Sequence, residues 1–462
     1  MKSGPDIGKP GKVKILLKMI KISNLPPKGT ADWFPAEYKI REYIFTTWRT
    51  ICKRYGYEEY LTPIMELADL YRAKSGEDVG GKELMSFFDR GGRELSIRPE
   101  MTPSVTRMVS RIYNQVPKPL RLFSIANFVR NEKPQRGRNR EFWQLNFDIF
   151  GASNINADLE ILQVALDIMI YFITNFKISS DLRAAADKSF KLYINDRKLL
   201  DYVLQNILKL NPEIITPVVR LLDKYSKLPL EKFKEELNKL DINTKQYELL
   251  TRFLNSQNVS ELAINLPELA ETEGYIRVSK LILRLEELGY SNYIEFKPTI
   301  IRGFDYYDGM IFEVYDTNEE NNRAMFGGGR YNGLASLFGN NEFPAVGCAP
   351  GDETTKLFLE SWQLLDFLKT SQLNYYCPLL NSSPLILDLV RRLRAEGFSI
   401  ELGLEEQNLT KALNYANNKS IHYLIILGEE EEGKGIYKIK NMQTRKEEVY
   451  EFSTLKKILP NQ

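Results

Sequence analysis

Between Arg130 and Arg140 the chain sets five basic residues (Arg130, Lys133, Arg136, Arg138 and Arg140) against one acidic residue, Glu132. Pro134 and Gly137 make this stretch a loop, and the aromatic and β-branched runs 119–129 and 141–150 predict strands on either side. Guanidinium groups on such a hairpin suit bidentate binding of phosphate. Phe142 and Trp143 add aromatic faces able to stack on a base. A solvated basic hairpin would have the same composition, so the loop alone leaves both readings open. In IRPEMTPSVTRM (97–108), Glu100 follows a rigid Arg-Pro pair and opens a helix. Capping of that helix is its favoured role, and a place in a cleft is the other. In IIRGFDYYDGMIFEVYD (300–316), Arg302, Asp305, Tyr306 and Tyr307 surround a glycine just before an apolar strand. A turn whose tyrosines pack on the sheet is the simpler account of them. MFGGGRYNGL (325–334) reads as a glycine-rich turn over 327–333, at which backbone can approach a ligand closely. It fits neither the dinucleotide-binding nor the P-loop pattern.

Composition narrows the chemistry further. The chain has 462 residues, which suggests about three domains. Hydrophobic residues make up 43% and charged residues 27%, as in globular, water-soluble proteins. The net charge of +2 means that any basic surface must be local. There is a single histidine, His422. Imidazole-based zinc or iron sites and Ser-His or Cys-His nucleophiles are therefore poor candidates. Cys52, Cys348 and Cys377 are widely separated, with no C-x-x-C pair, and read as buried thiols in a reducing compartment. No signal-peptide or membrane-spanning apolar block is present, which predicts a cytoplasmic protein without a membrane partner.

The elements that must position these residues follow from periodicity. Residues 1–25 form a Lys-, Gly- and Pro-rich extension. Ile40, Tyr43, Ile44, Trp48 and Ile51 recur at helical spacing. Residues 60–66 read as an edge strand with a proline. Residues 84–98 read as two strands around an Asp-Arg-Gly-Gly turn, 102–114 as a helix and 158–172 as another. From about 195 to 290 the texture becomes helical and rich in Lys, Glu and Leu. Strand texture returns at 294–299 and 310–315, and a helix is predicted at 353–366. Beyond about 370 the pattern alternates β-α-β, which implies a small α/β domain with a partly parallel sheet.

Taken together, the order and spacing of these segments resemble the class II aminoacyl-tRNA synthetases and, within them, the histidyl-tRNA synthetase family. PPKGTADWFP looks like that family's opening segment and YLTPIMELADLY like its motif 1. RPEMTP and FVRNEKPQRGRNREFWQLNFDIFG look like motif 2 and its surroundings. RGFDYYDGMIFE and GGGRYNGL look like the two signatures peculiar to the histidine enzymes. The resemblance implies an α+β fold, with an antiparallel sheet flanked by helices. It implies a catalytic domain over 26–368 with a helical insertion at about 195–290, then an α/β anticodon-binding domain over 369–462. It further implies a homodimer formed through motif 1. The implied activity joins L-histidine to ATP with Mg²⁺, giving histidyl-adenylate, and then transfers the histidyl group to the 3′ end of tRNA(His). No zinc is expected.

Carried over by position, Glu100, Thr102, Gln144 and Asp148 would hold the amino group and neighbouring parts of histidine. Tyr307 and Tyr331 would face the imidazole, with Tyr306 beside them. Arg130 would meet the α-phosphate and carboxylate, Arg138 the distal phosphates, Phe142 the adenine and Glu132 the adenine or metal side. Arg302 corresponds to the catalytic arginine, and Gln135 and Arg136 to contacts with the tRNA acceptor end. Attack of a carboxylate on phosphorus brings two anions together, so positioning and cationic charge dominate and no catalytic histidine is required.

One departure stands out. Motif 3 usually ends Gly-x-x-Arg, and that arginine meets the γ-phosphate; here VGCAPGDET places Thr354 at that position. Either Arg138 and Mg²⁺ suffice, or another cation substitutes. The same departure is what a non-catalytic paralogue, acting as a regulatory subunit or tRNA sensor, would show. The 195–290 insertion would be either a lid over the acceptor stem or a spacer.

Overall fold

The computed structural model describes residues 23–73, 75, 78–174, 187–225, 228–301, 306–321, 323–339, 342–365, 368 and 375–452. Most of the N-terminal extension, together with Arg302 and Asp305, lies outside the described residues. The chain divides into two compact units, Met1–Trp362 and Gln363–Gln462.

The first unit contains β1 (Glu58–Glu59), β2 (Met65–Leu67), β3 (Met85–Phe88), β4 (Glu94–Ile97), β5 (Leu120–Val129), β6 (Glu141–Phe150), β7 (Phe190–Asp196), β8 (Ile294–Phe296), β9 (Met310–Asp316), β10 (Ala324–Arg330) and β11 (Ala345–Cys348). Eight of these form one sheet in the order β1-β5-β6-β11-β10-β9-β7-β8. It is antiparallel except at its two edges, where β1 pairs with β5 and β8 with β7 in parallel. The longest ladder joins β5 to β6 from Leu120↔Phe150 to Val129↔Glu141, the two strands predicted around the basic loop.

Strand β6 shows why the sheet has a core face and a working face. Successive side chains alternate across a strand. Leu145, Phe147 and Ile149 are essentially fully buried on one face. The helices Pro35–Arg54 and Ile155–Thr174 supply further core through Ile44, Trp48, Ile51, Ile161, Leu162 and Met169. The interleaved Phe142, Gln144, Asn146 and Asp148 face the other way, into a cleft.

The smaller sheet, β2-β4-β3, contains the predicted Asp-Arg-Gly-Gly hairpin. The edge strand expected at 60–66 starts later, at Met65, because Pro63 supplies no backbone N–H to a ladder. Between β7 and β8 lies the helical block. Four of its described helices open on asparagine or threonine caps that a sequence can reveal: Asn211, Asn243 in a capping box with Gln246, Asn258 and Thr272. The helix Glu273–Glu287 ties this block to the main sheet, since Arg277 pairs with buried Asp196 at 3.1 Å.

The second unit has its own sheet, β13-β12-β14-β15-β16. Its strands are β12 (Tyr375–Leu379), β13 (Ile400–Glu406), β14 (Tyr423–Ile426), β15 (Ile436–Asn441) and β16 (Glu447–Glu451). The first three are parallel, and the last two run antiparallel. The helices Pro384–Ala395 and Leu409–Asn418 pack Ile386 and Leu389, and Ala412 and Ala416, into two separate apolar clusters.

Candidate active site

The working face of β6, the start of the helix Thr102–Ser110 and strands β9 to β11 enclose an open cleft of about 260 Å³. It is lined by Glu100, Thr102, Arg130, Glu132, Arg138, Phe142, Gln144, Asp148, Tyr306, Tyr307 and Tyr331. These come from four separated stretches of sequence and meet in one place. Arg136 lines an adjoining cavity, and Gln135 lies beside it on the loop tip.

One end of the cleft is dry. Glu100 is 4% exposed and caps nothing: the helix Thr102–Ser110 has no side-chain cap. The capping role expected for Glu100 is therefore incorrect. Two residues earlier, the Arg98 side chain donates to Asn127 O at 2.9 Å and to Thr62 O at 2.9 Å, tying this stretch to its neighbours. Glu100 Oε2 accepts from the Tyr306 hydroxyl at 2.8 Å. Burial raises the Glu100 pKa, opposed by that hydrogen bond and by the charge of Arg130. Asp148 Oδ1 accepts from the Tyr331 hydroxyl at 2.6 Å, and burial pushes the Asp148 carboxyl up to about 7. Burial also raises both tyrosines well above their usual range, so at neutral pH each phenol keeps its proton and donates it to a carboxylate. The tyrosines do not merely fill a turn.

The three successive glycines of the GGGRYNGL segment, Gly327 to Gly329, lie in β10, not in a turn, and Gly333 lies in the short helix Asn332–Phe338. A Cβ on Gly329 would meet the Tyr307 ring at 2.8 Å, and one on Gly328 would meet Gly347 O at 2.0 Å. On β11, a Cβ at Gly347 would come within 1.8 Å of Asp148 Oδ1. Gly329 and Gly347 thus make room for Tyr307 and Asp148 and Gly328 for the backbone of β11, while Gly327 and Gly347 line the cleft. Arg330, in the same segment, is spent on structure: it pairs with buried Asp158 at 2.8 Å.

The other end is wet and cationic. Gln135 and Arg138 close a four-residue turn by mutual backbone bonds of 3.0 and 2.9 Å, with Gly137 at φ 72°. Arg130 lies 5.1 Å above the Phe142 ring and donates to Pro99 O at 3.0 Å. Arg138 contacts Glu132 at 3.3 Å with half its side chain in solvent. Arg140, one of the five basic residues, turns away and donates to Glu132 O at 3.1 Å.

Several residues at the site escaped sequence reasoning. Asn146 is buried, lines the cleft and leaves its amide nitrogen without a hydrogen-bond partner. The alternation Gln144-Asn146-Asp148 was the signal that could have found it. Asp352 is 2% exposed; it accepts the Trp143 N–H at 2.9 Å and pairs with Arg41 at 2.8 Å, while Arg41 lies 3.5 Å over the Trp33 ring. This cluster fixes the helix Asp352–Ser361 against β6, and nothing local in the sequence announces it. Thr354 hydrogen-bonds Met325 O at 2.8 Å, so it gives the cleft a hydroxyl where a cation was expected.

Comparison with known proteins places this geometry. The family model described as histidyl-tRNA synthetase matches residues 29–351, and that described as anticodon binding domain matches 379–462. A histidine–tRNA ligase of Leptospira biflexa is 38% identical over 440 residues, covering 95% of this chain and 97% of the relative. One of Pyrococcus horikoshii is 33% identical over 422 residues, covering 90% and 94%. Among solved structures, a histidyl-tRNA synthetase from Nostoc sp. PCC 7120 shares the fold with a TM-score of 0.76 at 20% identity, covering 94% of this chain and 98% of that one. A Bacillus halodurans protein described as an ATP phosphoribosyltransferase regulatory subunit/histidyl-tRNA synthetase shares it at 0.67 and 23%, covering 86% and 97%. With both family models spanning consecutive parts of the sequence, and relatives above 30% identity aligned nearly end to end, the chain belongs to the histidyl-tRNA synthetase family.

Proposed function

We propose that this protein activates L-histidine with ATP and charges tRNA(His). The carboxylate of histidine attacks the α-phosphorus, forming histidyl-adenylate and releasing pyrophosphate. A terminal ribose hydroxyl of the tRNA then attacks the acyl carbon and releases AMP. The observation that carries this proposal is the pairing of two buried carboxylates with two buried phenols, Glu100–Tyr306 and Asp148–Tyr331, beside a cationic loop. Buried polar groups reject ligands that leave them unpaired, so such an end can tell a polar ring from an apolar one of equal size. Glu100, Thr102, Gln144 and Asp148 hold the amino-group side of histidine, and Tyr306, Tyr307 and Tyr331 line its ring. Arg130 neutralises charge where the carboxylate and α-phosphate meet, and Arg302 is assigned to the same centre. Phe142 stacks on adenine, while Glu132 and Arg138 flank the nucleotide. Gln135 and Arg136, exposed on the loop tip, are assigned to the acceptor end of the tRNA.

Mg²⁺ would accompany ATP. Held through phosphate oxygens, it needs only one or two protein carboxylates. Glu313 and Glu353 line the cleft, and Glu353 Oε1 is buried without a hydrogen-bond partner, so the donor set fits. When bound, the ion would offset phosphate charge.

Homodimerisation is supported by one face of the β2-β4-β3 sheet. Its cross-strand rows are Met65-Ile97-Met85 and Leu67-Leu95-Phe87, all apolar. Met65, Leu67 and Phe87 are 51%, 55% and 40% exposed, an apolar patch of the kind that marks an interface. Leu67→Glu combined with Phe87→Glu should halve the mass seen by sedimentation; an unchanged mass would remove this face from the interface.

A non-catalytic role would leave substrate groups without selection. The described candidates other than Gln135 and Arg136 instead all line the one cleft. Among the described residues no helix is long and apolar enough to cross a membrane. The test is transfer of labelled histidine to tRNA(His): acid-stable, RNA-bound label is expected, and its absence with folded protein would refute the proposal.

A further inference from the structure

Thr354 leaves a gap in the cationic inventory of the cleft, and a second cavity opens beside it. That cavity shares Gly137, Arg138, Ala324, Met325 and Thr354 with the main cleft, so the two adjoin. Beyond Thr354 its wall carries two further arginines, Arg136 and Arg323. Its acidic residues do not cancel this charge equally. Asp316 is buried and takes hydrogen bonds from Asn318 N, Asn321 Nδ2 and Trp362 Nε1, at 2.8, 2.7 and 2.9 Å. Its lone pairs are already committed. Glu320 is exposed and reaches Arg136 only at 3.4 Å. Arg323 stands at the mouth of β10, exposed, and its Nη2 donates to Gln135 Oε1 at 2.9 Å. That neutral partner leaves its charge uncompensated. Two residues further on, Met325 offers its carbonyl to Thr354 Oγ1 at 2.8 Å. The short hydroxyl closes on the strand, and Arg323, just before that strand, adds a cation to the wall of the second cavity.

We propose that Arg323 receives the distal phosphates of ATP, taking over from β10 the charge that motif 3 supplies elsewhere from its helix. This rests on the adenylate-forming activity proposed above. A planar guanidinium can bind phosphate oxygens in pairs, and exchanging a neutral amide for a phosphate makes the contact charge-assisted. Binding of the nucleotide would therefore release Gln135 from Arg323 and free the loop tip for its other partner.

The test compares ATP with AMP, which lacks the distal phosphates. In Arg323→Ala, ATP binding measured calorimetrically should weaken about tenfold, the scale of one charged phosphate contact, while AMP binding stays unchanged. In histidine-dependent pyrophosphate exchange, the KM for ATP should rise by a similar factor and the KM for histidine should not. Arg323→Lys, which keeps a point charge without the fork, should fall between wild type and Arg323→Ala. Unchanged ATP binding in Arg323→Ala would overturn the proposal. So would equal weakening of ATP and AMP, which is what a merely structural role in holding the loop would give. The binding comparison needs no histidine, so it decides the question for Arg323 even if wild-type protein shows no histidine-dependent exchange, an outcome that would refute the activity instead.

Discussion

The two ends of the cleft solve opposite problems. At the dry end Glu100 and Asp148 are 4% and 3% exposed, each fixed by a phenol within 2.8 Å. At the wet end the Arg138 side chain is 54% exposed, with its carboxylate contact stretched to 3.3 Å, and in the adjoining cavity Arg136 is 56% exposed with a contact at 3.4 Å. Burial makes an unmade hydrogen bond costly, so the dry end can discriminate between side chains. Exposed guanidinium groups discriminate little, but they can follow a flexible triphosphate and attract it from a distance. In the function proposed above, selection and charge neutralisation are separated in space, and Arg130, between Pro99 O and the Phe142 ring, is assigned to the point where they meet.

The largest effects should come from emptying the dry end. Asp148→Asn or Tyr331→Phe should lower kcat/KM for histidine by about a hundredfold or more, because each leaves its former partner buried and unpaired. The KM for ATP should change little; steady-state exchange kinetics read both, and equal losses on the two substrates would erase the contrast. Next, Arg138→Ala should raise the KM for ATP about tenfold, and added salt should weaken ATP binding more than histidine binding. Titrating both ligands between low and high ionic strength checks this. Equal salt slopes would mean that the ends do not differ in exposure during binding.

The smallest effect concerns pH. Asp148 has a folded pKa of about 7, above its ordinary value near 4, so the folded state binds this proton more tightly. Its contribution to stability is fully present below about pH 4 and is lost as pH rises through about 7. Thermal melts of wild type minus Asp148→Asn should therefore slope downward over that window and level off above it. A slope of the opposite sign would place Asp148 in a solvated or cation-paired environment.

The wet end was legible from composition, since Arg130, Arg136 and Arg138 cluster within nine residues around a turn glycine. The dry end was legible only in combination. Glu100 read locally as a cap, and its hydrogen bond to the distant Tyr306 is a tertiary contact with no local sign. The glycines of β10 read as a turn because their function is clearance for Tyr307 and for β11, a tertiary requirement with no local sign. Asp352 was missed for the same reason, since its partners Arg41 and Trp143 lie 311 and 209 residues away in sequence. Strand β7, Phe190–Asp196, ran unnoticed into the helical block, although its alternation of buried and half-buried residues is regular at its start. In the second unit the β-α-β order was plain, because its parallel strands are short apolar runs separated by helices with Ser383 and Asn408 caps.

The most direct test is pyrophosphate exchange into ATP by the purified protein, run separately with each of the twenty amino acids. The dry end predicts exchange with histidine alone, at least a hundredfold above any other amino acid. No exchange with histidine, or comparable exchange with an apolar or another polar amino acid, would contradict the assignment of Glu100, Asp148, Tyr306 and Tyr331 to the selection of histidine.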